Sequence, residues 1–258
     1  TFAGRAGEGG SDDGIGDRAR FFFPSAVAVD GAGFVYVADM YNNTIRKISP
    51  AGEVSTFAGV PLAICGNVNG TGDEARFCRP SGIAVTSGGT VYVADAGNAM
   101  IRVISPTRVV STLAGDGQIG TIDGPGHQAR FLLPTSLAID ANNTVYVADQ
   151  TAHTIRTITA KGVVGTLAGL GSAEGSVDGV GSAARFSYPF GVAVDRAGTV
   201  YVTDTHNQTI RAIAPGGVVT TIGGLAGVAG NVEAAGSAAR FRTPFTIAVD
   251  GAGGLYIA

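Results

Sequence analysis

Short apolar runs alternate with glycine- and aspartate-rich turns along the whole chain. Four such runs follow each other near the start: SAVAVD (25–30), FVYVAD (34–39), NTIRKIS (43–49) and EVSTFAG (53–59). They are rich in Val, Ile, Tyr and Thr and are separated by Gly and Pro turns, which predicts four short β-strands. No stretch keeps the 3.6-residue apolar period of an amphipathic helix.

The first two predicted strands of this set carry small or apolar side chains on both faces. Val27, Ala28 and Val29 follow each other in one strand, and Val35, Tyr36 and Val37 in the next. A strand that is apolar on both faces belongs to a sheet covered on both sides.

The pattern repeats. The triplet ARF starts at residues 19, 75, 129, 184 and 239, and the Tyr of YVAD or its variants stands at 36, 92, 146, 201 and 256. Four antiparallel strands per copy, repeated five times, predict an all-β fold made of the blades of a β-propeller. We treat the chain as a single domain with repeat units 5–59, 60–115, 116–169, 170–224 and 225–258 plus 1–4.

The two ends of the chain fit into this scheme. Thr1–Gly4 (TFAG) matches the last strand of each later copy, whereas the final copy supplies only the first two strands. We therefore expect residues 1–4 to form the outermost strand of a closing blade, and the chain to be part of a larger polypeptide with a sixth blade.

The stretch FPSAVAVDGAGFVYVADMYNNTIRKISPAGEVSTFAG resembles the NHL repeat, and similar residues recur in every copy. The copies resemble a long variant of that repeat, with a DGxG…ARFxxP connection between blades. Because ARF lies in this connection, we expect its Phe to pack between adjacent blades. The resemblance implies a β-propeller that serves as a platform for protein, glycan or RNA ligands; a minority of similar propellers are enzymes.

Composition narrows the ligand class and the location. The chain has 17 basic and 20 acidic residues and a net charge of −3, which is no electrostatic footprint for nucleic acid. The apolar runs are too short for a membrane-spanning helix, so we expect no membrane insertion by this segment.

Two sets of recurring charged residues have both a functional and a structural interpretation. Aspartates end each second strand (Asp39, Asp95, Asp149, Asp204), and arginines follow the recurrent Ile (Arg46, Arg102, Arg156, Arg211) or stand in ARF. A residue needed by every blade is more often structural, since Asp bonds its own turn and a guanidinium ties carbonyls together.

Function is more readily placed where the copies differ. The turn after the second strand reads DMYNNT, DQTAHT or DTHNQT, so we predict ligand-binding residues in this row: Met40, Tyr41, Gln150, His153, Thr205 and His206.

Enzymatic signatures are sparse. His127, His153 and His206 stand in different copies, the DGxG loops carry few carboxylates, and there is no G-x-S-x-G elbow or P-loop. The resembling lyases and lactonases need a metal cluster, so we expect no enzyme activity, no catalytic residue, no metal site and no cofactor.

Cys65 and Cys78 occur together in one connection, where they form either a disulfide or two separately buried thiols. We predict the disulfide. Four N-x-T sequons, at Asn42, Asn69, Asn142 and Asn207, are glycosylation candidates. Both features favour a secreted, cell-surface or periplasmic location.

The sequence as a whole predicts a non-enzymatic scaffold that binds a protein or carbohydrate through its rim loops. Three alternatives stay open at this point: a metal-dependent lyase or lactonase, an RNA-binding propeller, and a purely structural or sensor domain of a larger receptor.

Overall fold

A computed structural model describes residues 1–62 and 64–258. Within them the regular elements are β-strands and 3₁₀ turns, without an α-helix. Contacts divide the chain into two compact units, Thr1–Gln118 and Ile119–Ala258, and each is described by itself.

The first unit consists of two five-stranded antiparallel sheets, which are blades 1 and 2. Blade 1 has the strand order β1-β5-β4-β3-β2, and blade 2 has the order β6-β10-β9-β8-β7. Their strands are β1 (Gly14–Ile15), β2 (Pro24–Val29), β3 (Val35–Asp39), β4 (Thr44–Ile48), β5 (Glu53–Ala58), β6 (Gly70–Thr71), β7 (Pro80–Val85), β8 (Val91–Asp95), β9 (Met100–Ile104) and β10 (Val109–Ala114).

The second unit repeats this sheet twice, as blades 3 and 4, and ends in a hairpin that begins blade 5. Its strands are β11 (Gly124–Pro125), β12 (Pro134–Ile139), β13 (Val145–Asp149), β14 (Thr154–Ile158), β15 (Val163–Gly169), β16 (Gly179–Val180), β17 (Pro189–Val194), β18 (Val200–Asp204), β19 (Thr209–Ile213), β20 (Val218–Gly223), β21 (Ile247–Val249) and β22 (Leu255–Ile257).

Each complete blade has one strand more than the sequence predicts. The glycine of the DGxG connection begins a two-residue strand that pairs with the outer edge of the blade, as Gly14 does with Val54 and Gly70 with Val110. A Cβ on Gly70 would lie 2.7 Å from the Cβ of Glu74, so glycine is needed for the connection to fold this closely. The four predicted strands are present, and the connection adds a short fifth strand at the edge of the sheet.

Burial between blades follows the expected pattern for most of the strands. Ile83 of β7 is 5% exposed and packs in one cluster with Ala26 and Ala28 of the preceding blade. Val27, at the position equivalent to Ile83, is 66% exposed. The prediction of two covered faces therefore holds for β7 and not for β2, because no described element of the first unit (residues 1–62 and 64–118) covers β2 in the way that β2 covers β7.

The phenylalanine of ARF fills the space between successive blades, as its spacing predicts. Phe77 and Phe186 are at most 1% exposed. A Cβ on Gly59 or Gly169 would lie 3.1 or 3.2 Å from the respective ring. The glycine of TxAG is required mainly by its positive φ and by a backbone carbonyl of the same blade, which would lie closer still to a Cβ (2.6 Å for Asn43 O at Gly59), and it also leaves room for the ring.

Residues Thr1–Gly4 form no strand. Gly4 nevertheless has the φ of Gly59 (89° and 90°), and its N–H donates to Gly16 O at 3.0 Å as Gly59 N–H donates to Gly72 O at 3.0 Å. The segment therefore adopts the local conformation that ends a repeat, and its role in a closing blade stays a prediction.

Candidate ligand-binding loops

The loop that joins β3 to β4, and its equivalent in each other complete blade, lies on a buried aspartate and a buried arginine. In blade 1, Asp39 and Arg46 are both 0% exposed. Arg46 donates from Nη1 to Asp39 Oδ2 (2.9 Å) and from Nη2 to Asp13 Oδ1 (2.6 Å). It also donates to two backbone carbonyls, and its guanidinium lies 5.2 Å from the centre of the Phe21 ring. Arg46 therefore binds the blade to the connection that precedes it.

The two oxygens of Asp39 are also occupied. Oδ1 accepts from the backbone N–H of Phe22 (2.7 Å), and Oδ2 accepts from Nδ2 of Asn42 (2.7 Å). Neither carboxylate oxygen of this aspartate is left for a ligand. The same Asp–Arg pair occurs in all four complete blades, at Asp39–Arg46, Asp95–Arg102, Asp149–Arg156 and Asp204–Arg211.

Two blades vary the network without losing it. In blade 2 the outer partner is an amide, because Arg102 Nη2 donates to Asn69 Oδ1 at 2.6 Å. In blade 3 Ala152 replaces the asparagine; Asp149 keeps the bond from the N–H of Leu132 (3.0 Å), the equivalent of Phe22, and gains one from the N–H of Leu133 (2.7 Å). The structural interpretation of these aspartates and arginines is the one the geometry supports.

Burial has an electrostatic consequence for the aspartates. Burial raises the pKa of Asp95 and of Asp204 to about 6, and the hydrogen bonds from the neighbouring Asn and Arg oppose this rise. The arginines in ARF differ, because they lie near the surface and bond local carbonyls, as Arg76 Nη1 does with Asp73 O (2.6 Å).

Each of these loops contains a 3₁₀ turn that lies on the buried Asp–Arg network. We call the four 3₁₀ segments the tip turns. Each is followed by a residue in the left-handed conformation, with φ between 53° and 60°. The tip turns are Met40–Asn42, Ala96–Asn98, Gln150–Ala152 and Thr205–Asn207, and the left-handed residues are Asn43, Ala99, His153 and Gln208.

The left-handed residue reaches the next blade. Asn43 Oδ1 accepts from the N–H of Arg79 (2.8 Å), His153 Nδ1 accepts from the N–H of Tyr188 (3.1 Å), and Gln208 Oε1 accepts from the N–H of Thr243 (2.5 Å). Three chemically different side chains thus make one bond between successive blades, and Ala99 has no side-chain acceptor.

The predicted binding residues fall into two groups. His153 and Thr205 are buried, at 7% and 3% exposure, and their polar atoms bond neighbouring segments. Tyr41 and His206 are exposed, whereas Met40 and Gln150 are half-buried.

Blade 1 presents an aromatic cluster that the sequence row captures only in part. Tyr41 packs against Phe22 and Phe23, with ring centres 5.5 and 4.7 Å apart. Phe22, Phe23 and Tyr41 are 38%, 64% and 44% exposed. The two phenylalanines directly follow ARF, a position that the row of tip turns does not include.

Blade 4 brings the two predicted histidines together. The ring of Tyr188 stacks on His206 at 4.2 Å and meets His153 edge-on at 4.8 Å. Burial lowers the pKa of His153, Glu174 opposes this effect, and His206 reinforces it. His127 lies apart from them, beside Gln128 in a connection.

The predicted disulfide between Cys65 and Cys78 is present, with Cα atoms 4.4 Å apart. Cys78 donates its N–H to Asp95 Oδ1 (2.7 Å) and accepts at its carbonyl from Gly97 N–H (2.8 Å). The bridge therefore fastens a long connection to the base of the blade 2 tip turn.

The sequons divide by the state of their amide nitrogens. Asn42 Nδ2 donates to Gly10 O (2.7 Å) and Asp39 Oδ2 (2.7 Å), and Asn207 Nδ2 makes the equivalent two bonds. A glycan on either nitrogen would remove a proton that these bonds use, so neither fits as an acceptor in this structure. Asn69 and Asn142 are exposed and stay predicted glycosylation sites.

Two further observations concern the described residues only. Among residues 1–62 and 64–258, no group of three or more His, Cys, Asp or Glu side chains is placed to hold a metal ion. In the same part of the chain, no helix combines the length and apolarity that crossing a bilayer requires.

Repeated antiparallel sheets, each with four main strands, a two-residue edge strand and this shared network, define a β-propeller. Residues 77–104 and 186–213 match the NHL repeat family model, so the chain carries NHL repeats. It is 31% identical over 240 residues to NHL repeat-containing protein 2 from Homo sapiens, over 80% of this chain, and spans 33% of that protein's length.

Two solved structures share the fold at low sequence identity. An auxiliary nutrient binding protein from Bacteroides ovatus has a TM-score of 0.60 at 17% identity, with 100% of this chain and 72% of that chain covered. A gluconolactonase from Xanthomonas campestris has a TM-score of 0.61 at 14% identity, with 92% and 70% covered.

Proposed function

We propose that this chain is a non-enzymatic recognition scaffold that binds a protein or glycan ligand through its tip turns and the residues that follow ARF. One observation carries the proposal: the buried Asp–Arg network recurs in every complete blade, whereas the exposed side chains on it differ from blade to blade. Constant burial with variable exposure is the organisation of a binding surface on a rigid frame.

The exposed aromatic residues support this proposal. Phe23 and Tyr41 of blade 1 lie at the surface with ring centres 4.7 Å apart. Aromatic side chains are enriched in binding surfaces because they offer a large apolar area with few rotatable bonds. The low net charge of −3 favours a neutral or weakly charged partner.

The related proteins support a binding role and also supply the main alternative. The Bacteroides ovatus structure is described as a nutrient binding protein, and the Xanthomonas campestris structure as a gluconolactonase. The disulfide supports the further proposal that the chain functions in an oxidising compartment, at the cell surface, in the periplasm or outside the cell.

A binding screen tests the scaffold proposal. The purified, oxidised chain is probed against a glycan array and an array of extracellular protein domains, and each ligand is re-measured with Tyr41→Ala and His206→Ala. A matched control is Val218→Ser, at an exposed position of the outer strand β20. We expect a ligand whose affinity falls in one of the first two variants and is unchanged in the control.

The same preparation tests the alternatives. EDTA-sensitive hydrolysis of gluconolactone by the wild-type chain would contradict the scaffold proposal in favour of an enzyme. Binding to polyuridylate with a steep salt dependence would contradict it in favour of RNA recognition.

A further inference from the structure

The junction between blades 4 and 5 departs from the pattern of the other blades at the start of the first strand. The residue after the strand's proline is Ser25, Ser81 or Thr135 in blades 1 to 3, and Phe190 or Phe245 in blades 4 and 5. Small hydroxyl side chains are thus replaced by large aromatic side chains at one end of the chain.

In blades 1 and 3 this hydroxyl bonds the next blade. Ser25 Oγ donates to Ser81 O (2.8 Å), and Thr135 Oγ1 donates to Phe190 O (3.1 Å). A phenylalanine at position 190 cannot make the equivalent bond to blade 5.

A second sequence change supplies the missing bond. Thr203 stands where the other complete blades have alanine in YVAD, and its Oγ1 donates to Phe245 O (2.7 Å) and accepts from Gly191 N–H (2.7 Å). The carbonyl of Phe245, to which Phe190 cannot donate, therefore accepts from the hydroxyl of Thr203 on the neighbouring strand. The aromatic residues at positions 190 and 245 are compensated for in the structure.

The side chains at positions 190 and 245 form an aromatic pair at the surface. Phe190 and Phe245 stack with ring centres 3.6 Å apart and an interplanar angle of 25°, and Phe245 is 46% exposed. Phe190 remains half-buried although the hairpin of blade 5 packs against its strand, so packing between these two blades does not fully account for an aromatic side chain at this position.

The pair lies at the same end of blade 4 as the stacked rings of Tyr188 and His206. Pro189, beside Phe190, pairs with Asp204, which precedes the tip turn. His206 N–H donates to Ser187 O (3.0 Å), and the buried Thr205 donates from Oγ1 to Pro244 O (2.8 Å). These bonds join segments 187–190, 205–208 and 242–245 at this end of blade 4; we call the three segments together the junction face.

Hydrogen-bonding side chains, one of them a carboxylate, lie in and beside the three segments. Gln208 and Thr243 are joined across the junction, and Ser187 Oγ donates to the exposed carboxylate of Glu174 at 3.3 Å. Arg242 is the one cation in the three segments, far fewer than the row of cations with which a protein grips a phosphate backbone.

We propose that the junction face, built on Tyr188, His206, Phe190 and Phe245, is a binding site for a neutral oligosaccharide. The apolar faces of sugar rings stack on aromatic rings, and their hydroxyls bond to imidazole, amide and carboxylate groups of the kind found here. The inference rests on the recognition function proposed above and names its ligand class.

The test is isothermal titration of the wild-type chain with cellohexaose, xylohexaose, mannohexaose, maltohexaose and chitohexaose, with polyuridylate as a comparison probe. We expect at least one hexasaccharide to bind. Phe245→Ser, which restores the residue type of Ser81, and His206→Ala should each weaken that affinity at least about tenfold. Val218→Ser should leave it unchanged.

Three results would overturn the site. They are no binding of any hexasaccharide, equal binding by the wild type and both variants, and polyuridylate binding that Phe245→Ser abolishes. Thermal unfolding of each variant checks folding, and the exposed His206→Ala remains informative if Phe245→Ser does not fold. If no hexasaccharide binds while a protein ligand is lost in Tyr41→Ala, the oligosaccharide site fails and the scaffold function stands.

Discussion

Arg102 donates to Asp95 at 2.9 Å in a place where neither side chain has any contact with solvent. Removing one partner of a buried ion pair costs more than the pair itself contributes, because the remaining charge stays desolvated. Arg102→Leu should therefore lower the free energy of unfolding by roughly 3–5 kcal/mol.

Urea denaturation followed by circular dichroism measures this loss. The control is Arg18→Leu at an exposed site of the same unit, for which we expect a change within about 0.5 kcal/mol. Equal effects of the two substitutions would show that the buried network adds no stability.

Gly97 is expected to be intolerant of even a methyl group. A Cβ there would lie 2.5 Å from Sγ and 2.8 Å from the carbonyl oxygen of Cys78. We expect Gly97→Ala to destabilise the oxidised chain by about 1–3 kcal/mol through overpacking.

Gly88→Ala is the matched control, since the nearest atom to a Cβ at that position is 4.0 Å away. Because part of the clash at Gly97 is with backbone, replacing both cysteines by alanine should relieve only part of its effect. Full recovery of stability in that triple variant would contradict the backbone component.

His153 should make the junction between blades 3 and 4 sensitive to pH. Its Nδ1 accepts the N–H of Tyr188, which requires a neutral ring, and burial lowers its pKa below the ordinary 6.5. Glu174, His206 and Tyr188 are the titratable groups that face it. The unfolded state then binds more protons than the folded state, so the stabilisation is present above pH 6.5 and is lost as the pH falls.

The chain itself supplies the replacement. Asn43 accepts the equivalent N–H in blade 1 without titrating, so His153→Asn should keep the bond and remove its pH dependence. The measurement is the difference in unfolding free energy between wild type and variant from about pH 7.5 to pH 5. A difference that stays constant over this range would refute the prediction.

Thr203 and Phe190 should show energetic coupling. Thr203→Ala removes two hydrogen bonds of 2.7 Å and should cost about 1–3 kcal/mol, because Phe245 O and Gly191 N–H lose a partner. With Phe190→Ser present, the serine hydroxyl can serve the carbonyl as Ser25 does, and the cost of Thr203→Ala should be smaller. A double-mutant cycle by chemical denaturation measures the coupling, and strict additivity would exclude it.

Much of the fold can be predicted from the sequence because the same pattern of apolar and turn residues recurs in every repeat. The strands, the docking of the ARF phenylalanines and the disulfide between Cys65 and Cys78 are predicted correctly. The two-residue edge strands are missed, since a strand such as Gly14–Ile15 has no period to recognise and depends on glycine geometry.

The candidate site is less visible in the sequence. The predicted row of binding residues includes His153 and His206 and omits Tyr188, whose ring contacts both of them, because contact across a junction depends on three-dimensional packing. One missed partner did leave a signal. Asp13, Asn69, Asp123 and Asp178 each stand 33 residues before the arginine they bind.

The bond from the left-handed residue to the next blade can be varied at one junction independently of the others. Asn43, His153 and Gln208 fill one role with different chemistry, and Ala99 fills the same backbone position without it. A substitution at this one position of a repeat therefore changes one hydrogen bond between two blades, while the equivalent bonds at the other junctions are kept. One substitution at this position can thus alter a single junction while every exposed side chain of the tip turns stays as it is.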